Sequence, residues 1–250
     1  MAETPLLDVR EVSKAFGGVR AVDSVGFTLR PGDVQAVIGP NGAGKSTLFN
    51  LLTGQLPCDR GRILFRGERI DGLPPHEIWR KGISRTFQVP AAFQSLTVRE
   101  NAQTVLLSRH GKSRSLSADA TRLFADEAAA LLAQVGLRAY ADDRCGTLSL
   151  GDLKRMELAL ALASEPALLL LDEPTAGMSS DERADLMGTV TRIVRERTLT
   201  VLFTEHDMDV VFGTATRILV LHQGRVLAEG APAAVRENPE VQRAYLGGAP

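Results

Sequence analysis

Gly39-Pro40-Asn41-Gly42-Ala43-Gly44-Lys45-Ser46-Thr47 fills every fixed position of the phosphate-binding loop G-x-x-x-x-G-K-[ST]. The apolar run Val34 to Ile38 before it reads as a buried strand, and Ser46 to Leu52 after it as a helix. The loop therefore lies at a helix N-terminus, where unpaired backbone N–H groups and the positive end of the dipole face incoming phosphates. Gly42 and Gly44 let the backbone curl without a Cβ in the way, Lys45 reaches toward the β- and γ-phosphates, and the Ser46 hydroxyl is placed to hold Mg²⁺. Binding of a nucleoside triphosphate is the first expectation.

At 250 residues the chain can bury a sizeable core, as one large domain or one domain carrying an inserted subdomain. Its 29 basic and 30 acidic residues balance, so no whole-chain attraction draws it to nucleic acid or an anionic bilayer. The start, Met1-Ala2-Glu3-Thr4-Pro5, lacks the basic and apolar regions of a signal peptide. No apolar run approaches the ~20 residues a membrane-spanning helix needs. Cys58 and Cys145 are far apart and in no metal-ligand spacing, which fits a reducing cytosol and two incidental thiols.

Outward from the loop, Leu6 to Val12 alternates like a strand, and Gly17-Gly18 begins a hairpin to a second antiparallel strand, Val19 to Leu29. Pro31-Gly32-Asp33 is a turn into the loop's strand. Gly61 to Phe65 and Ile83 to Phe87 read as strands, with a short helix at Pro75 to Lys81. Helical periodicity follows at Thr97 to Ser108, Ala118 to Gly136 and Asp152 to Ser164. Residues 89–165 are therefore expected to be a helical insertion, with an ATPase core over about 1–88 and 166–250. Strand Ala167 to Leu171, helix Asp181 to Arg197 and strand Thr200 to Phe203 indicate a parallel sheet covered on both faces. Ile218 to Leu221 and Arg225 to Glu229 form a hairpin, and a last helix starts near Asn238-Pro239. The predicted class is α/β: a phosphate-loop NTPase core with a mainly parallel sheet, an N-terminal antiparallel region and an inserted helical subdomain.

Phosphoryl transfer to water needs a metal contact, a group that orients the water and a sensor of the γ-phosphate. Leu168-Leu169-Leu170-Leu171-Asp172-Glu173 is an apolar strand ending in two carboxylates beside the loop. Asp172 is the expected Mg²⁺ contact and Glu173 the general base or water-orienting group. His206, after the strand Thr200 to Phe203, can donate to the γ-phosphate. Gln88 closes the strand Ile83 to Phe87, where its amide could meet Mg²⁺ or the attacking water. Phe16 is a candidate stacking surface for the base.

Together these residues resemble the ATP-binding subunit of an ATP-binding-cassette (ABC) transporter, over essentially the whole chain. The segment Leu148-Ser149-Leu150-Gly151-Asp152 is similar to the family signature Leu-Ser-Gly-Gly-Gln. The resemblance implies ATP and Mg²⁺ as cofactors and a head-to-tail dimer, in which Ser149, Gly151 and Asp152 close the nucleotide site of a second ATP-binding subunit. Leu150 and Asp152 depart from the signature, Leu160 stands where many members have arginine, and Ser179 occupies the place of an aspartate that helps couple the two sites.

Several strings resemble the ATP-binding subunits of branched-chain amino-acid importers and their urea or amide relatives. They are Arg85-Thr86-Phe87-Gln88, Leu96 to Asn101, Ala176-Gly177-Met178, Glu205-His206-Asp207-Met208 and Asn238 to Gly247. That subgroup implies a peripheral place on the cytoplasmic face of a bacterial inner membrane. It also implies two transmembrane permease subunits, a related or identical ATPase partner, and indirectly a substrate-binding protein, with no nucleic acid. The permease contact is expected around Gln88 and residues 89–100, through Ala91, Ala92, Phe93 and Leu96. Two alternatives stand: a lipopolysaccharide-export ATPase, and a soluble ABC ATPase with no membrane partner.

Overall fold

The computed structural model describes residues 4–86, 92–112 and 123–246. Along the chain its strands are β1 (Leu7–Phe16), β2 (Val19–Leu29), β3 (Val34–Ile38), β4 (Arg60–Phe65), β5 (Glu68–Arg69), β6 (Ile83–Arg85), β7 (Leu168–Asp172), β8 (Thr200–Thr204), β9 (Arg217–His222) and β10 (Arg225–Gly230). The longer helices are α1 (Lys45–Leu52), α2 (Pro75–Arg80), α3 (Val98–Arg109), α4 (Ala125–Gln134), α5 (Leu150–Leu162), α6 (Ser180–Arg197), α7 (Met208–Thr214) and α8 (Pro232–Glu237).

Two sheets form. One is antiparallel with order β2-β1-β4-β5, and the other has order β10-β9-β3-β8-β7-β6. Every neighbouring pair from β9 to β6 is parallel, and β10 folds back antiparallel on β9. The expected α/β class is thus the observed one. β3, β7 and β8 are buried at every position because both faces of the sheet are covered.

Strand alternation splits the interior into two cores. Ala36, Leu169, Leu171 and Phe203 pack with helices α3 to α6, whereas Val37, Leu168, Leu170 and Leu202 pack with α1 and the antiparallel sheet. Helices α3, α4 and α5 touch one another, and their Leu106, Leu132 and Met156 share the cluster of Ala36 and Phe203. The sheet order β3-β8-β7 therefore brings the ends of these strands side by side, which is where the loop, Thr204 and Asp172 sit.

Several boundaries differ from the sequence reading. β1 continues to Phe16, because register shifts after Val9 and a left-handed Glu11 (φ 48°) break the alternation that marked its first half. α7 and α8 are too short to show a helical period. α7 is capped by Asp207, whose Oδ1 accepts from Asp209 N–H at 2.9 Å. Asn238 caps the turn that follows α8, accepting from Glu240 N–H at 2.8 Å. Residues 118–122 of the predicted Ala118 to Gly136 helix, and Phe87, lie outside the described residues. No described helix is long and apolar enough to cross a membrane.

Candidate active site

The phosphate loop leaves β3 and enters α1 through Gly44, which holds φ 103° at the helix N-cap. A Cβ on Gly44 would lie 2.3 Å from the Ala21 carbonyl oxygen, and one on Gly39 would lie 2.3 Å from that of Leu221. The loop is thus wedged between β2 and the end of β9, where only glycine fits. It borders a cleft of about 270 Å³, lined by residues 41–47 with Ala21, Glu173 and His206.

Lys45 is buried, and its Nζ donates to the carbonyls of Gly39 (2.6 Å) and Pro40 (3.2 Å). Burial pushes its pKa below the usual lysine value, while Glu173 and Asp172 pull it back up. Ser46 is exposed on the first turn of α1.

Asp172 ends β7 with both carboxylate oxygens engaged. Oδ2 accepts from Arg85 Nη2 at 2.7 Å, Oδ1 accepts from Thr204 Oγ1 at 2.8 Å, and its own N–H donates to Thr86 Oγ1 at 3.3 Å. Glu173 then turns left-handed, with φ 48°. That conformation costs a non-glycine residue about 1–3 kcal/mol and persists where surroundings enforce it. Here the Glu173 N–H is held by the Thr204 carbonyl (3.2 Å) and hydroxyl (3.0 Å). The bend aims the carboxylate at the cleft, where Oε1 lies 3.1 Å from His206 Nε2.

Glu205 was not a sequence candidate, yet it joins this group from behind. Its buried carboxylate accepts from Thr175 N–H (2.9 Å) and Oγ1 (2.6 Å) through Oε1, and from His206 N–H (3.1 Å) through Oε2. The available signal was a carboxylate just past the short apolar run Val201-Leu202-Phe203.

The other candidates fall elsewhere. Phe16 is half exposed at the hairpin end of β1, with Lys14 Nζ 5.8 Å from its ring centroid, and does not line the cleft. Ser149, Gly151 and Asp152 open α5, away from the cleft of their own loop. Ser149 accepts from Asp152 N–H at 3.1 Å and donates to its Oδ2 at 2.7 Å. Leu150 is exposed between them. Ser179 caps α6 reciprocally with Glu182, a local task that serine performs well. Gln88 and Ala91 lie outside the described residues. Phe93 is exposed, and its backbone N–H donates to the buried Asn101 Oδ1 at 2.8 Å.

The residues present fit a nucleotide and its metal. The loop offers the backbone N–H groups of a helix N-terminus beside the cleft, and a buried lysine whose Nζ is held at the Gly39 and Pro40 carbonyls. Hydroxyl and carboxylate oxygens from Ser46 and Asp172 suit Mg²⁺, which takes few protein ligands besides phosphate oxygens.

A phosphate loop on a parallel sheet, a histidine just past the end of the neighbouring strand β8 and an acidic pair closing the next strand, β7, define an ATP-binding cassette, an ATPase class. The ABC transporter family profile matches residues 22–176, and the chain belongs to that family. A second profile, branched-chain amino acid ATP-binding cassette transporter, matches residues 225–250. The chain is 40% identical to the high-affinity branched-chain amino acid transport ATP-binding protein LivG of Escherichia coli (strain K12), over 97% of this chain and 98% of that one. It is equally similar, 40% over the same shares, to the corresponding protein BraF of Pseudomonas aeruginosa. Among solved structures, the ADP conformation of MJ1267, an ATP-binding cassette of an ABC transporter, superposes with a TM-score of 0.86 at 30% identity, covering 98% of this chain and 99% of that one.

Proposed function

We propose that this chain is the ATP-hydrolysing subunit of a bacterial importer of branched-chain amino acids or related small amides. The single observation that carries the chemistry is the Glu173–His206 contact of 3.1 Å at the mouth of the phosphate loop. Loop backbone and Lys45 bind the phosphates, and Ser46, Asp172 and by expectation Gln88 would hold Mg²⁺, which would supply neutralisation of phosphate charge. Glu173 takes the proton of the attacking water at its carboxylate, and His206, beside it in the cleft, donates toward the γ-phosphate. The small cleft of one subunit is open, so Ser149, Gly151 and Asp152 of a second ATP-binding subunit close it, and hydrolysis reopens it. A dimeric structure of a post-hydrolysis state of the cassette MJ0796, bound to ADP and Pi and 26% identical, supports pairing of two such subunits.

The partners are two transmembrane permeases, contacted near Phe93 and Leu96, with a substrate-binding protein acting through them. The place of work is the cytoplasmic face of the inner membrane. The terminal match at 225–250 and the full-length relatives favour import over the lipopolysaccharide-export and soluble alternatives. Deleting the gene from its source bacterium tests this: uptake of labelled leucine, isoleucine and valine should fall, and return with the wild-type gene but not with Lys45→Ala. Unchanged uptake of these and of small amides overturns the assignment.

A further inference from the structure

Arg85 closes β6 three residues before Gln88, and the chemistry above gives it no task. Its side chain is 8% exposed and its guanidinium spans two parts of the site. Nη2 donates to Asp172 Oδ2 at 2.7 Å, and Nη1 donates to Asn50 Oδ1 at 2.7 Å. The same group lies over the Phe49 ring, 5.5 Å from its centroid. Asn50 and Phe49 belong to α1, the helix whose first turn carries Lys45 and Ser46. One planar cation therefore ties the phosphate-loop helix to the strand end that bears the metal carboxylate.

The side-chain type matters. Asp172 is 6% exposed, and a carboxylate so buried is strongly disfavoured without a counter-charge. Arginine supplies that charge and, through its rigid fork, also bonds a second acceptor at a fixed angle. Lysine, a point charge, could meet the carboxylate or the amide but could not hold both in one plane. With Oδ1 pinned by Thr204, the Arg85 bond leaves Asp172 a single orientation relative to α1.

We propose that Arg85 is a positioning residue for the metal–nucleotide site. Acting through Asp172 and Asn50, it sets the spacing between the Asp172 carboxylate and the Ser46 hydroxyl, and so governs how strongly Mg²⁺ tightens nucleotide binding. This rests on Ser46 and Asp172 as the Mg²⁺ contacts.

The test is ADP affinity by titration calorimetry, with excess Mg²⁺ and in EDTA, for wild type, Arg85→Lys and Asn50→Ala, with thermal unfolding of each. In Arg85→Lys, affinity in EDTA should stay at the wild-type value while the enhancement by Mg²⁺ falls about tenfold, as is usual when a group orienting a metal ligand is lost. Asn50→Ala keeps the ion pair and should show a smaller loss in the same direction. A folded Arg85→Lys with the wild-type enhancement overturns the proposal, and so does an equal fall with and without Mg²⁺, which marks a structural strut. Asn50 is only partly buried, so its alanine variant serves if Arg85→Lys fails to fold, and a wild-type enhancement there is equally adverse. A wild type whose ADP affinity ignores Mg²⁺ refutes the metal roles of Ser46 and Asp172 themselves, a result distinct from failure in the variants alone.

Discussion

Glu205→Ala removes the acceptor that ties the loop after Glu173 to the loop bearing His206. Glu205 is 3% exposed and Thr175 2%, so the Thr175 N–H and hydroxyl that it now satisfies have little access to water. Hydrogen bonds to charged groups contribute about 1.5–3 kcal/mol each, but water entering the space of the lost side chain recovers part of that, leaving about 3 kcal/mol for the group. In a domain of this length each kcal/mol moves Tm by about 2–4 °C, so a fall of about 6–12 °C is expected. Thr175→Val deletes only the hydroxyl donor and should cost about 1 kcal/mol. Because both changes strike one bond, the double variant should be less destabilised than the sum, by at least about 0.5 kcal/mol. Turnover should fall as well, since His206 N–H loses its anchor, while ATP affinity holds because the loop is untouched. Urea unfolding and steady-state hydrolysis read these effects. A Tm shift below about 2 °C, or strict additivity with Thr175→Val, refutes the reasoning.

Gly44→Ala should abolish nucleotide binding while leaving most of the fold intact, because φ 103° and the Ala21 carbonyl 2.3 Å from the new Cβ force the loop to open. Fluorescent-nucleotide titration and circular dichroism check the two halves of that statement. Nucleotide affinity should also fall at high pH. In the free protein burial depresses the Lys45 pKa below 10.5, so Lys45 loses its proton earlier than an ordinary lysine, whereas bound phosphate favours the charged form. Binding is therefore coupled to proton uptake above the free protein's Lys45 pKa, which calorimetry in buffers of different ionisation enthalpy would detect as a proton stoichiometry that rises with pH.

The parts of the site legible in sequence are those whose chemistry is contiguous. The phosphate loop is nine consecutive residues, Asp172-Glu173 closes a run of four leucines, and His206 lies three residues past the apolar Val201-Leu202-Phe203. What stayed hidden is carried by contacts between distant residues. Thr175 and Glu205 are 30 residues apart, Asn50 and Arg85 35, and Arg85 and Asp172 87, so no local pattern announces them. Fold legibility divides similarly. The continuous apolar runs Leu168 to Leu171 in β7 and Val201 to Phe203 in β8 declared a sheet covered on both faces, whereas the bulge at Glu11 hid the second half of β1. The seven-residue α7 was invisible because its evidence is a cap, the Asp207 carboxylate, and not a period.

The most direct test of the central claim compares wild type with Glu173→Gln for ATP hydrolysis and for ATP-dependent dimer formation by size-exclusion chromatography. Loss of a positioned base predicts ATP binding retained and turnover lowered by ~10²-fold or more. The variant should accumulate as a dimer in ATP that dissociates when ATP is removed. Hydrolysis at a near wild-type rate, with no dimer in ATP, would contradict the claim that Glu173 works in a cleft closed by a second subunit.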